Sequence, residues 1–568
     1  MIKKFFLAVF FITAVICGVF GATACSCAPR EPEPIYGTYY LFENYELDKT
    51  QCIIINEDGT CNLWGEEGTY ELDGSDVLFD TAKWDSQNLP ASYWRGLIKI
   101  YNGETVYYYY KEGFEPRRFT YSLSNNKSYY ILTDINIFDT TDIVIEPTYK
   151  GLPVKVIGSS AFRSLKITSV TIPDSITKIG SCAFEWCTEL TSLEIPDSVT
   201  EIGKNAFEGC TNLESINISG AITKVCESTF ANCTNLNEVV LPDSVKTIEK
   251  DAFNSCENLT GVNMPKSLIN IEPQAFWYCK NLKGLTLPDG LTEIGYEAFH
   301  GCRKLESVNI PDKLTKIGVA AFADCPDIAS ITVSGNNKTY YGKDNCIIER
   351  KSNKLIFGCK NSIIPEGVTE IGSYAFYYCD GLTHITIPDS VTKIGGRAFT
   401  HCRELTEIVI PDGVTYIGGD AFGSCRGIKS IFIPKSVEYI GKEAFSRCEG
   451  IESLSVDKDN GYFYSQDNCI IERQSNRLIL GCKNSVIPDG VTVIGTGAFE
   501  YCGVTEITIP VSVTEFEEYA FCGHELRTIY YEGTMEQWNA IKKEEHYAWD
   551  HDTHRYTVKC TDGDIIKK

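Results

Sequence analysis

A single pattern returns at an almost constant spacing through most of the 568-residue chain. Its most regular mark is the dipeptide Ala-Phe, with Thr-Phe once, and in most units a cysteine follows the phenylalanine by three residues. Most neighbouring phenylalanines of this set are 23 residues apart, two intervals are 22 residues and two are 54. The fourteen phenylalanines are Phe162, Phe184, Phe207, Phe230, Phe253, Phe276, Phe299, Phe322, Phe376, Phe399, Phe422, Phe445, Phe499 and Phe521. A unit of this length cannot bury its own apolar side chains, so neighbouring units must stack as the coils of a solenoid.

The unit that spans residues 305–325 shows the role of each part of a coil. A short alternation of apolar and polar residues ends at Ile310 and predicts a strand with one buried face. Pro311 lacks an amide donor and ends the ladder of that strand. A second apolar segment ends at Ile317, on another side of the coil, and Gly318 after it predicts a sharp bend with positive φ. With Phe322 as the wedge of an aromatic spine, the pattern predicts a β-rich solenoid with a parallel sheet along one side.

The motif Leu-x-x-Ile-x-Ile-Pro-x-Ser-Val-Thr-x-Ile-Gly-x-x-Ala-Phe-x-x-Cys resembles the BspA-like, or Treponema-type, leucine-rich repeat. The resemblance covers roughly residues 119–531, and a degenerate unit at 142–162 is similar to the first repeat of that family. The end of the chain, from Ile529 through Trp538 to Gly563, resembles family members as well. Members of this family are surface proteins of bacteria or protozoa, and several are implicated in adhesion to host proteins and cells. The resemblance therefore implies a bacterial surface protein that binds through its solenoid.

Each of the two 54-residue intervals contains an insertion, and the two insertions are near copies offset by 123 residues. They lie near 340–362 and 463–485, and both contain Asp-Asn-Cys-Ile-Ile-Glu-Arg followed by a Ser-Asn pair, which predicts a β-hairpin with its turn at Ser-Asn. Counting outward from the turn places Cys346 opposite Cys359 and Cys469 opposite Cys482, at sites where two Cα atoms lie closest. In an oxidising compartment the count predicts two cross-strand disulfides, with packed thiols as the alternative.

Twelve further cysteines recur three residues after the repeat phenylalanines, from Cys187 to Cys502. Metal sites need paired Cys-x-x-Cys spacing with histidine nearby, and this spacing does not occur. A position that recurs once per coil is better explained as a small buried side chain that fills the interior. The repeat cysteines are therefore predicted to be interior thiols.

Residues 1–24 have the pattern of a secretory signal peptide, in which an apolar run ends at Phe20 and Ala22-Thr23-Ala24 supplies the small residues that cleavage requires. An uncleaved anchor is the alternative, although the run is barely long enough to cross a bilayer. Cys25 resembles the lipid-attachment cysteine of a bacterial lipobox, with Ala22 where leucine is usual. Residues 25–35 then form an extended tether. The protein is predicted to lie at the cell surface, held to the membrane only by a lipid on Cys25, with simple secretion as the alternative.

The two ends of the repeat region, which is taken as 118–531, have a different character. Residues 36–117 are rich in aromatic residues, with turn signals at Asp58-Gly59 and Asp73-Gly74, and predict a small antiparallel sheet or barrel. This module faintly resembles the lipocalin-like modules of bacterial lipoproteins. A closed barrel of this kind can hold a small apolar ligand, but a barrel filled by its own side chains is favoured. Residues 532–568 are predicted to cap the last coil with a short helix that carries Trp538.

The sequence carries little that indicates catalysis. It contains no Gly-x-Ser-x-Gly elbow, no Gly-x-x-x-x-Gly-Lys phosphate loop and no His-Glu-x-x-His motif. Metal-ligand types cluster between His546 and His554, in a polar terminal segment where a solvated loop is favoured over a zinc site. The net charge of −24 at pH 7 argues against a nucleic-acid binder, because phosphates need basic partners. No catalytic residue, cofactor or metal site is therefore predicted.

The surface of the predicted sheet is the remaining candidate, because the extended faces of solenoids are binding surfaces. Residues that flank the buried centre of each strand point outward, and seven of them are taken as the candidate surface: Ser307, Asn309, Thr332, His384, Thr386, Glu407 and Phe432. The sequence predicts a non-catalytic surface protein whose solenoid binds an extracellular protein or glycan, for example in adhesion. One alternative is a small-ligand carrier or hydrolase that acts through the N-terminal module, and another is a structural envelope protein.

Overall fold

The computed structural model describes residues 37–43, 46–56, 60–63, 66–73, 76–81, 89–94, 97–102, 105–111, 119–135, 141–218, 222–523, 525–543, 550 and 555–567. The chain divides into two compact units, the first up to Arg118 and the second from Phe119 onward. The predicted signal peptide, the tether and Cys25 lie outside the described residues. No helix in the described ranges is long and apolar enough to cross a membrane.

The first unit is a closed barrel of eight antiparallel strands in chain order, in which the first strand also pairs with the last. Its strands are β1 (Gly37–Glu43), β2 (Glu46–Ile55), β3 (Thr60–Leu63), β4 (Glu66–Asp73), β5 (Asp76–Thr81), β6 (Leu89–Trp94), β7 (Leu97–Asn102) and β8 (Thr105–Lys111). In β2 the side chains of Ile53 and Ile55 are buried and that of Ile54 is exposed, which is the alternation expected of a strand with one face toward the barrel interior. Of the two arrangements predicted for this region, the barrel is the one observed.

The second unit begins with a change from antiparallel to parallel pairing. Its first strands are β9 (Phe119–Leu123), β10 (Tyr130–Ile135), β11 (Asp142–Val144), β12 (Thr148–Tyr149) and β13 (Leu152–Ile157). β10 pairs with β9 in the antiparallel sense and with β13 in the parallel sense. The parallel stacking of coils therefore starts at β10.

Each following coil contributes up to two short strands that pair in parallel with those of its neighbours. The outer strand has three or four residues, and the second strand has two residues and lies on another side of the coil, as predicted. The strands before the first insertion are β14 (Ser169–Thr171), β15 (Lys178–Ile179), β16 (Ser192–Glu194), β17 (Glu201–Ile202), β18 (Ser215–Asn217), β19 (Lys224–Val225), β20 (Glu238–Val240), β21 (Thr247–Ile248), β22 (Gly261–Asn263), β23 (Asn270–Ile271), β24 (Glu293–Ile294), β25 (Ser307–Ile310), β26 (Lys316–Ile317) and β27 (Ser330–Val333). The register advances by one coil per repeat, so that Leu193 lies beside Ile216 and Ile216 beside Val239.

The repeat phenylalanines form a stack through the interior, as predicted. Neighbouring rings from Phe162 to Phe322 have centroids 4.7–5.5 Å apart and planes within 13° of parallel. The stack turns at Phe357, whose ring is tilted by 44° to that of Phe322, and resumes from Phe376 to Phe445. These rings are almost completely buried, so the spine is a large part of the apolar area that folding removes from water.

The repeat cysteines are interior thiols, as predicted, but they are more than filler. In ten coils the cysteine Sγ lies 2.9–3.3 Å from the carbonyl oxygen of the phenylalanine one coil earlier. Burial raises the pKa of Cys187 and of Cys448 to about 12, so these thiols keep their protons and act as hydrogen-bond donors. The thiols therefore link successive coils.

The glycine that precedes each turn is needed for a different reason from the one predicted. Gly318 is not among the residues with positive φ, and the left-handed conformation falls instead at Ala320, with φ of 59°. A Cβ on Gly318 would lie 2.3 Å from the backbone nitrogen of Tyr296, so the glycine lets the backbones of neighbouring coils approach. Where glutamate replaces this glycine, as at Glu249, its carboxylate accepts a hydrogen bond from the backbone N–H of Glu227 in the coil before.

Each insertion forms a three-stranded antiparallel meander, one strand more than the predicted hairpin. The first meander contains β28 (Tyr340–Lys343), β29 (Cys346–Glu349) and β30 (Lys354–Gly358). The coils after it carry β31 (Glu370–Ile371), β32 (Lys393–Ile394), β33 (Tyr416–Ile417), β34 (Ser430–Ile433), β35 (Tyr439–Ile440) and β36 (Ser453–Val456), and the second meander contains β37 (Phe463–Gln466), β38 (Cys469–Glu472) and β39 (Arg477–Leu480). Because β30 pairs in parallel with β31, the first meander is built into the stack of coils. Buried apolar residues of the solenoid form three clusters, which meet at the meanders.

The register within the first meander corrects the predicted cysteine alignment. Cys346 lies opposite Gly358 and not opposite Cys359. Close to the turn, Ile348 pairs with Leu355 and not with Phe357, so the turn is centred one residue earlier than the Ser-Asn pair, and the register shift between Ile347 and Ile348 removes only one of the two residues of difference. A difference of one residue directs a side chain to the other face of a strand. The second meander has the equivalent shift, between Ile470 and Ile471.

The four meander cysteines, Cys346, Cys359, Cys469 and Cys482, are buried free thiols in this structure. The thiol of Cys346 lies 3.5 Å from the carbonyl oxygen of Ile363, and the thiol of Cys469 lies 3.4 Å from that of Val486. Both thiols pack against a backbone carbonyl in this geometry, and the two disulfides stay a prediction.

The C-terminal segment continues both series of parallel strands, the outer strands and the two-residue strands. It contains β40 (Val493–Ile494), β41 (Glu506–Ile509), β42 (Glu515–Phe516), β43 (Thr528–Tyr531), α1 (Met535–Ala540), β44 (Lys542–Lys543), β45 (Tyr556–Cys560) and β46 (Gly563–Lys567). α1 starts at a capping box between Thr534 and Gln537, and its buried Trp538 packs against Phe516 with ring centroids 5.6 Å apart. β44 pairs with β42, and β45 pairs with β43. The predicted helix is therefore present, and strands as well as the helix cover the last coil.

Candidate binding surface

Alternation along each outer strand places two side chains per coil on the surface. In β25, Val308 is buried between Ser307 and Asn309, which are both exposed. Ser307 lies beside Ser330 of the next strand, and Asn309 lies beside Thr332. The outward residues therefore form two columns along the solenoid, a first column just before the buried centre of the strand and a second column just after it.

The seven residues predicted from the sequence are all exposed. Three of them, Ser307, Asn309 and Thr332, lie on the neighbouring strands β25 and β27 just before the first meander. The hydroxyl of Thr332 donates a hydrogen bond to Oδ1 of Asn309 over 3.0 Å. This part of the surface is polar, and its side chains are partly engaged with one another.

The other four predicted residues come after the first meander. His384 and Thr386 share one coil, Glu407 lies on the next coil, and Phe432 lies on the coil after that. The coils of His384 and Glu407 follow the repeat without an assigned outer strand, and Nδ1 of His384 lies 3.0 Å from the hydroxyl of Thr383. The seven residues thus form two groups with the first meander between them.

Two large apolar side chains of the second column are not among the seven surface residues predicted from the sequence. Ile363 is 66% exposed and Val409 is 65% exposed, and with Phe432, at 50%, they occupy equivalent positions 46 and 23 residues apart. Thr386 holds the same position on the coil between Ile363 and Val409. At about 4.8 Å between neighbouring coils, these four residues extend over roughly 14 Å. We name them the outer apolar stripe.

Many charged side chains elsewhere on the solenoid are paired between neighbouring coils. Ion pairs of this kind, with N–O distances of 2.6–3.0 Å, are Lys178–Glu201, Lys204–Glu227, Lys224–Glu249, Lys280–Glu257 and Lys304–Asp327. Within each pair the two opposite charges offset one another. The outer apolar stripe is therefore set apart by hydrophobic exposure and not by charge.

A second group of titratable residues lies close to the second meander and is mostly buried. Arg447 and Glu500 form an ion pair at 2.9 Å that connects the coil before the meander to the coil after it. Glu500 is only 2% exposed, and burial raises the pKa of its carboxyl. Burial likewise raises the pKa of Asp420 to about 6, although Arg397 lies 3.3 Å away and opposes the shift. The Arg447–Glu500 pair joins coils across the insertion and the Arg397–Asp420 pair joins neighbouring coils, so the role of both contacts is structural.

The terminal cluster considered for zinc lies almost entirely outside the described residues. Asp550 is the exception, and its buried carboxylate accepts a hydrogen bond from the hydroxyl of Tyr556 over 2.8 Å and pairs with Lys567. Within the ranges that the structure covers, no three His, Cys, Asp or Glu side chains converge in a way that would hold a metal ion.

Stacked coils of 23 residues, with a buried aliphatic and phenylalanine core and two parallel strips, define a leucine-rich repeat protein. The sequence model of the BspA type leucine rich repeat region matches residues 155–283, 270–346, 347–469 and 477–543, which is more than half of the chain. This chain therefore belongs to the BspA-type leucine-rich repeat family, whose members are typically bacterial surface proteins.

Several solved structures are similar to this chain. A leucine rich cell surface protein from Faecalibacterium prausnitzii A2-165 has 28% sequence identity and a TM-score of 0.49, with 75% of this chain and 97% of that chain covered. The leucine rich repeat protein of T. pallidum has 31% identity and a TM-score of 0.32, with coverage of 33% and 88%. The pneumococcal vaccine antigen PcpA has 18% identity and a TM-score of 0.42, with coverage of 75% and 94%. A search of curated proteins finds no match.

Proposed function

We propose that this chain is a non-catalytic binding protein of the bacterial cell surface, held there by a lipid on Cys25, and that it binds an extracellular protein in adhesion. Two features support the location: the family is one of bacterial surface proteins, and residues 1–24 have the pattern of a secretory signal peptide. The binding role rests on one observation, which is the outer apolar stripe.

The outer apolar stripe differs from the part of the second column that precedes the first meander. On the coils before the first meander, the equivalent positions are mostly polar, as at Glu194, Asn217 and Asn309. Val144, at 52% exposed, and Val240, at 54%, are the apolar exceptions there, and the positions between them are polar. Single exposed apolar residues are common on soluble proteins, whereas neighbouring ones are typical of interaction sites. The stripe is therefore the part of the columns best suited to a protein partner.

The composition of the stripe also fits a protein interface. Phe432 provides an aromatic side chain of the kind that dominates binding energy at interfaces, and Val409 lies beside it on the preceding coil. Glu407 and His384 lie in the first column alongside, where they supply polar contacts at the rim. Short rigid coils hold these side chains in place, so little conformational entropy is lost on binding.

A binding assay with the full mature chain tests this proposal. The immobilised protein is titrated with a panel of purified extracellular-matrix proteins and mucin, and Phe432→Asp and Val409→Asp are compared with the natural chain. We expect saturable binding to at least one protein of the panel, weakened about tenfold by either substitution because each places a charge in the contact.

Val240→Asp is the matched control, because it introduces the same charge at the same position of an equally exposed site outside the stripe. Binding should be unchanged in this variant. Equal losses in all three variants would assign the effect to charge in general, and binding that survives both stripe substitutions would contradict the proposal.

The barrel is a weaker candidate for function. Eight strands form a barrel whose interior is either filled by side chains or holds one small ligand. Ile53 and Ile55 of β2 and Cys61 of β3 are all at most 2% exposed, and Cys61 lies opposite Ile55. Side chains packed in this way favour a filled interior over a carrier or hydrolase site.

A further inference from the structure

A cleft of about 510 Å³ lies where the second meander interrupts the series of two-residue strands. The sheet that contains β33 ends at β35, and the next sheet begins with β37 of the meander. Tyr439 of β35 and Arg477 of β39 both line the cleft, so it separates the last strand of one sheet from the meander. Every residue of its lining is among those that the structure describes.

One wall of the cleft is the open end of an aromatic stack. The rings of Tyr416 and Tyr439 have centroids 4.8 Å apart and planes 11° from parallel. They hold the same register position on the neighbouring strands β33 and β35, and Lys393 holds it on β32. The ammonium of Lys393 lies 5.2 Å from the centroid of Tyr416, on the side of the strand that precedes it. The stack therefore carries a cation at one end, and at the other end Tyr439, which is 48% exposed, borders the cleft.

The next basic residue along the strands is directed away from this ring. Arg477 lies opposite Val493, which is the repeat equivalent of Tyr439 on the following coil. The guanidinium of Arg477 donates two hydrogen bonds, over 2.8 and 2.6 Å, to the carboxylate of Glu517, which follows β42. Because β42 lies beyond β40 as seen from β39, this contact draws the guanidinium away from β35. The second face of the Tyr439 ring is therefore left to the cleft.

Carboxylates stand beside the open ring. Five glutamates and two basic residues line the cleft, and three of the glutamates have a basic partner within 4.0 Å. The other two are Glu438, which is exposed, and Glu472, which is half-buried. Neither forms an ion pair with another described residue. The cleft thus combines an aromatic face with two uncompensated negative charges.

The first meander forms an equivalent cleft with different chemistry. This cleft, of about 270 Å³, is lined by residues that lie 123 positions before those of the second, such as Glu349 before Glu472. The position of Tyr439 is occupied there by Lys316, and the position of Glu438 by a threonine. The meander therefore produces the cleft, and the residues at two positions make only the second one suited to a cation.

The face of a tyrosine ring attracts a cation placed over it, and arginine is found in such sites more often than lysine. A planar guanidinium also stacks on aromatic rings and forms charge-assisted hydrogen bonds with carboxylates. We propose that this cleft binds an alkylguanidinium group, the group at the end of an arginine side chain, over the open face of Tyr439 and beside Glu438 and Glu472.

Three probes with the same chain and different head groups test the proposal on the full mature protein. Butylguanidine, butylurea and butylamine are titrated, and saturation-transfer difference NMR measures the bound fraction. We expect butylguanidine to bind in roughly the millimolar range, as a ligand of about eight heavy atoms does. It should bind about tenfold more tightly than butylurea, which has the same shape without the charge. Butylamine should lie between them, because an ammonium is more strongly hydrated.

Two further probes distinguish the sources of the group. N-acetylarginine methylamide represents an arginine within a protein chain, and agmatine represents a free small molecule. Tighter binding of the blocked arginine would assign the cleft to a side chain of a partner protein. Tighter binding of agmatine would assign it to a free alkylguanidine.

Substitutions in the cleft locate the site. Tyr439→Phe keeps an aromatic face and should leave the affinity for butylguanidine within about twofold, whereas Tyr439→Leu removes the face and should weaken binding at least about threefold. Glu472→Gln should weaken it about two- to fivefold, as loss of a partly exposed ion pair does. Glu349→Gln is the matched control, because Glu349 accepts a hydrogen bond from Ser352 as Glu472 does from Ser475, but lies at the first cleft.

Butylguanidine should bind the Glu349→Gln variant as tightly as the natural chain. The proposal is overturned if butylguanidine binds no more tightly than butylurea, or if Tyr439→Leu retains the natural affinity. It is also overturned if Glu349→Gln weakens binding as much as Glu472→Gln does. Circular dichroism of each variant shows that the fold is retained.

Discussion

The thiol of Cys256 donates a hydrogen bond to the carbonyl oxygen of Phe230 in the preceding coil, over 3.1 Å. The same oxygen accepts the backbone N–H of Cys233 within its own coil, over 3.2 Å. A carbonyl oxygen has two lone pairs, and here both are used inside a core that excludes water. Cysteine recurs at this position because it is small, tolerates burial and still provides a donor.

Replacing Cys256 therefore tests the thiol as a donor. We expect Cys256→Ala to lower the free energy of unfolding by about 1–2 kcal/mol, because it removes buried volume and one hydrogen bond. Cys256→Ser keeps a donor and should lose less than the alanine variant. Urea unfolding followed by circular dichroism measures both. A serine variant less stable than the alanine variant would mean that the position requires only an apolar filler.

The close approach of neighbouring backbones predicts a strong effect at Gly318. A Cβ there would lie 2.3 Å from the nitrogen of Tyr296, which belongs to the backbone and cannot move aside. We expect Gly318→Ala to destabilise the chain by about 1–3 kcal/mol, as overpacking of a core does. Gly335→Ala is the control, since a Cβ at Gly335 would meet no atom within 4 Å, and its effect should stay within about 0.5 kcal/mol. Thermal unfolding of the two variants distinguishes them, and equal transition temperatures would refute the argument.

The period of the sequence was enough to predict the spine, the two strands per coil and the burial of the repeat cysteines. Side chains that recur every 23 residues must stack when the coils stack, so the position of Phe322 above Phe299 follows from the spacing alone. The backbone conformation did not follow in the same way. Positive φ occurs at Ala320 and Asp324 because the turn must close on the next coil, whichever residues stand there.

The buried thiols of the two meanders predict a difference in alkylation between the folded and the denatured protein. Burial raises the pKa of Cys346 and of Cys469 to about 12, so almost none of either thiol is ionised at pH 8. The thiolate is the reactive form, and we expect iodoacetamide to leave both residues unmodified in the folded protein and to modify them in denaturant. Peptide mapping without reductant measures the labelling. A peptide that joins Cys346 to Cys359 through a disulfide would restore the pairing expected from the sequence.

The candidate surface shows where prediction from one sequence ends. The outward direction of Ser307, His384 and Phe432 was correct because a strand alternates its side chains, and the repeat fixes which residue is central. Ile363 was missed because it follows an insertion, where the phase of the repeat is interrupted. The alignment of Cys346 was wrong because the turn is centred one residue before the Ser-Asn pair, and because the strand pair also contains an irregularity that leaves no mark in residue spacing.

The buried carboxyl of Asp420 predicts that stability falls as the pH rises from about 4 to about 7. Burial raises its pKa to about 6 in the folded chain, against about 3.9 in an unfolded chain, and the charges that act on it are Arg397 and Arg447, which oppose the shift, and Glu443 and Glu500, which add to it. The folded state holds the proton more tightly, so this group favours folding below pH 4 and loses that contribution as the pH passes 6.

The loss should be on the order of 2 kcal/mol for a shift of this size. Asp420→Asn has no proton to release, and the difference between its unfolding free energy and that of the natural chain should grow between pH 4 and pH 7 in favour of the variant. Urea titrations at a series of pH values provide the two curves, with Asp412→Asn as the control because the side chain of Asp412 is 67% exposed. Parallel curves for Asp420→Asn and the natural chain would mean that Arg397, 3.3 Å from the carboxylate, compensates the burial fully and keeps the pKa at its ordinary value.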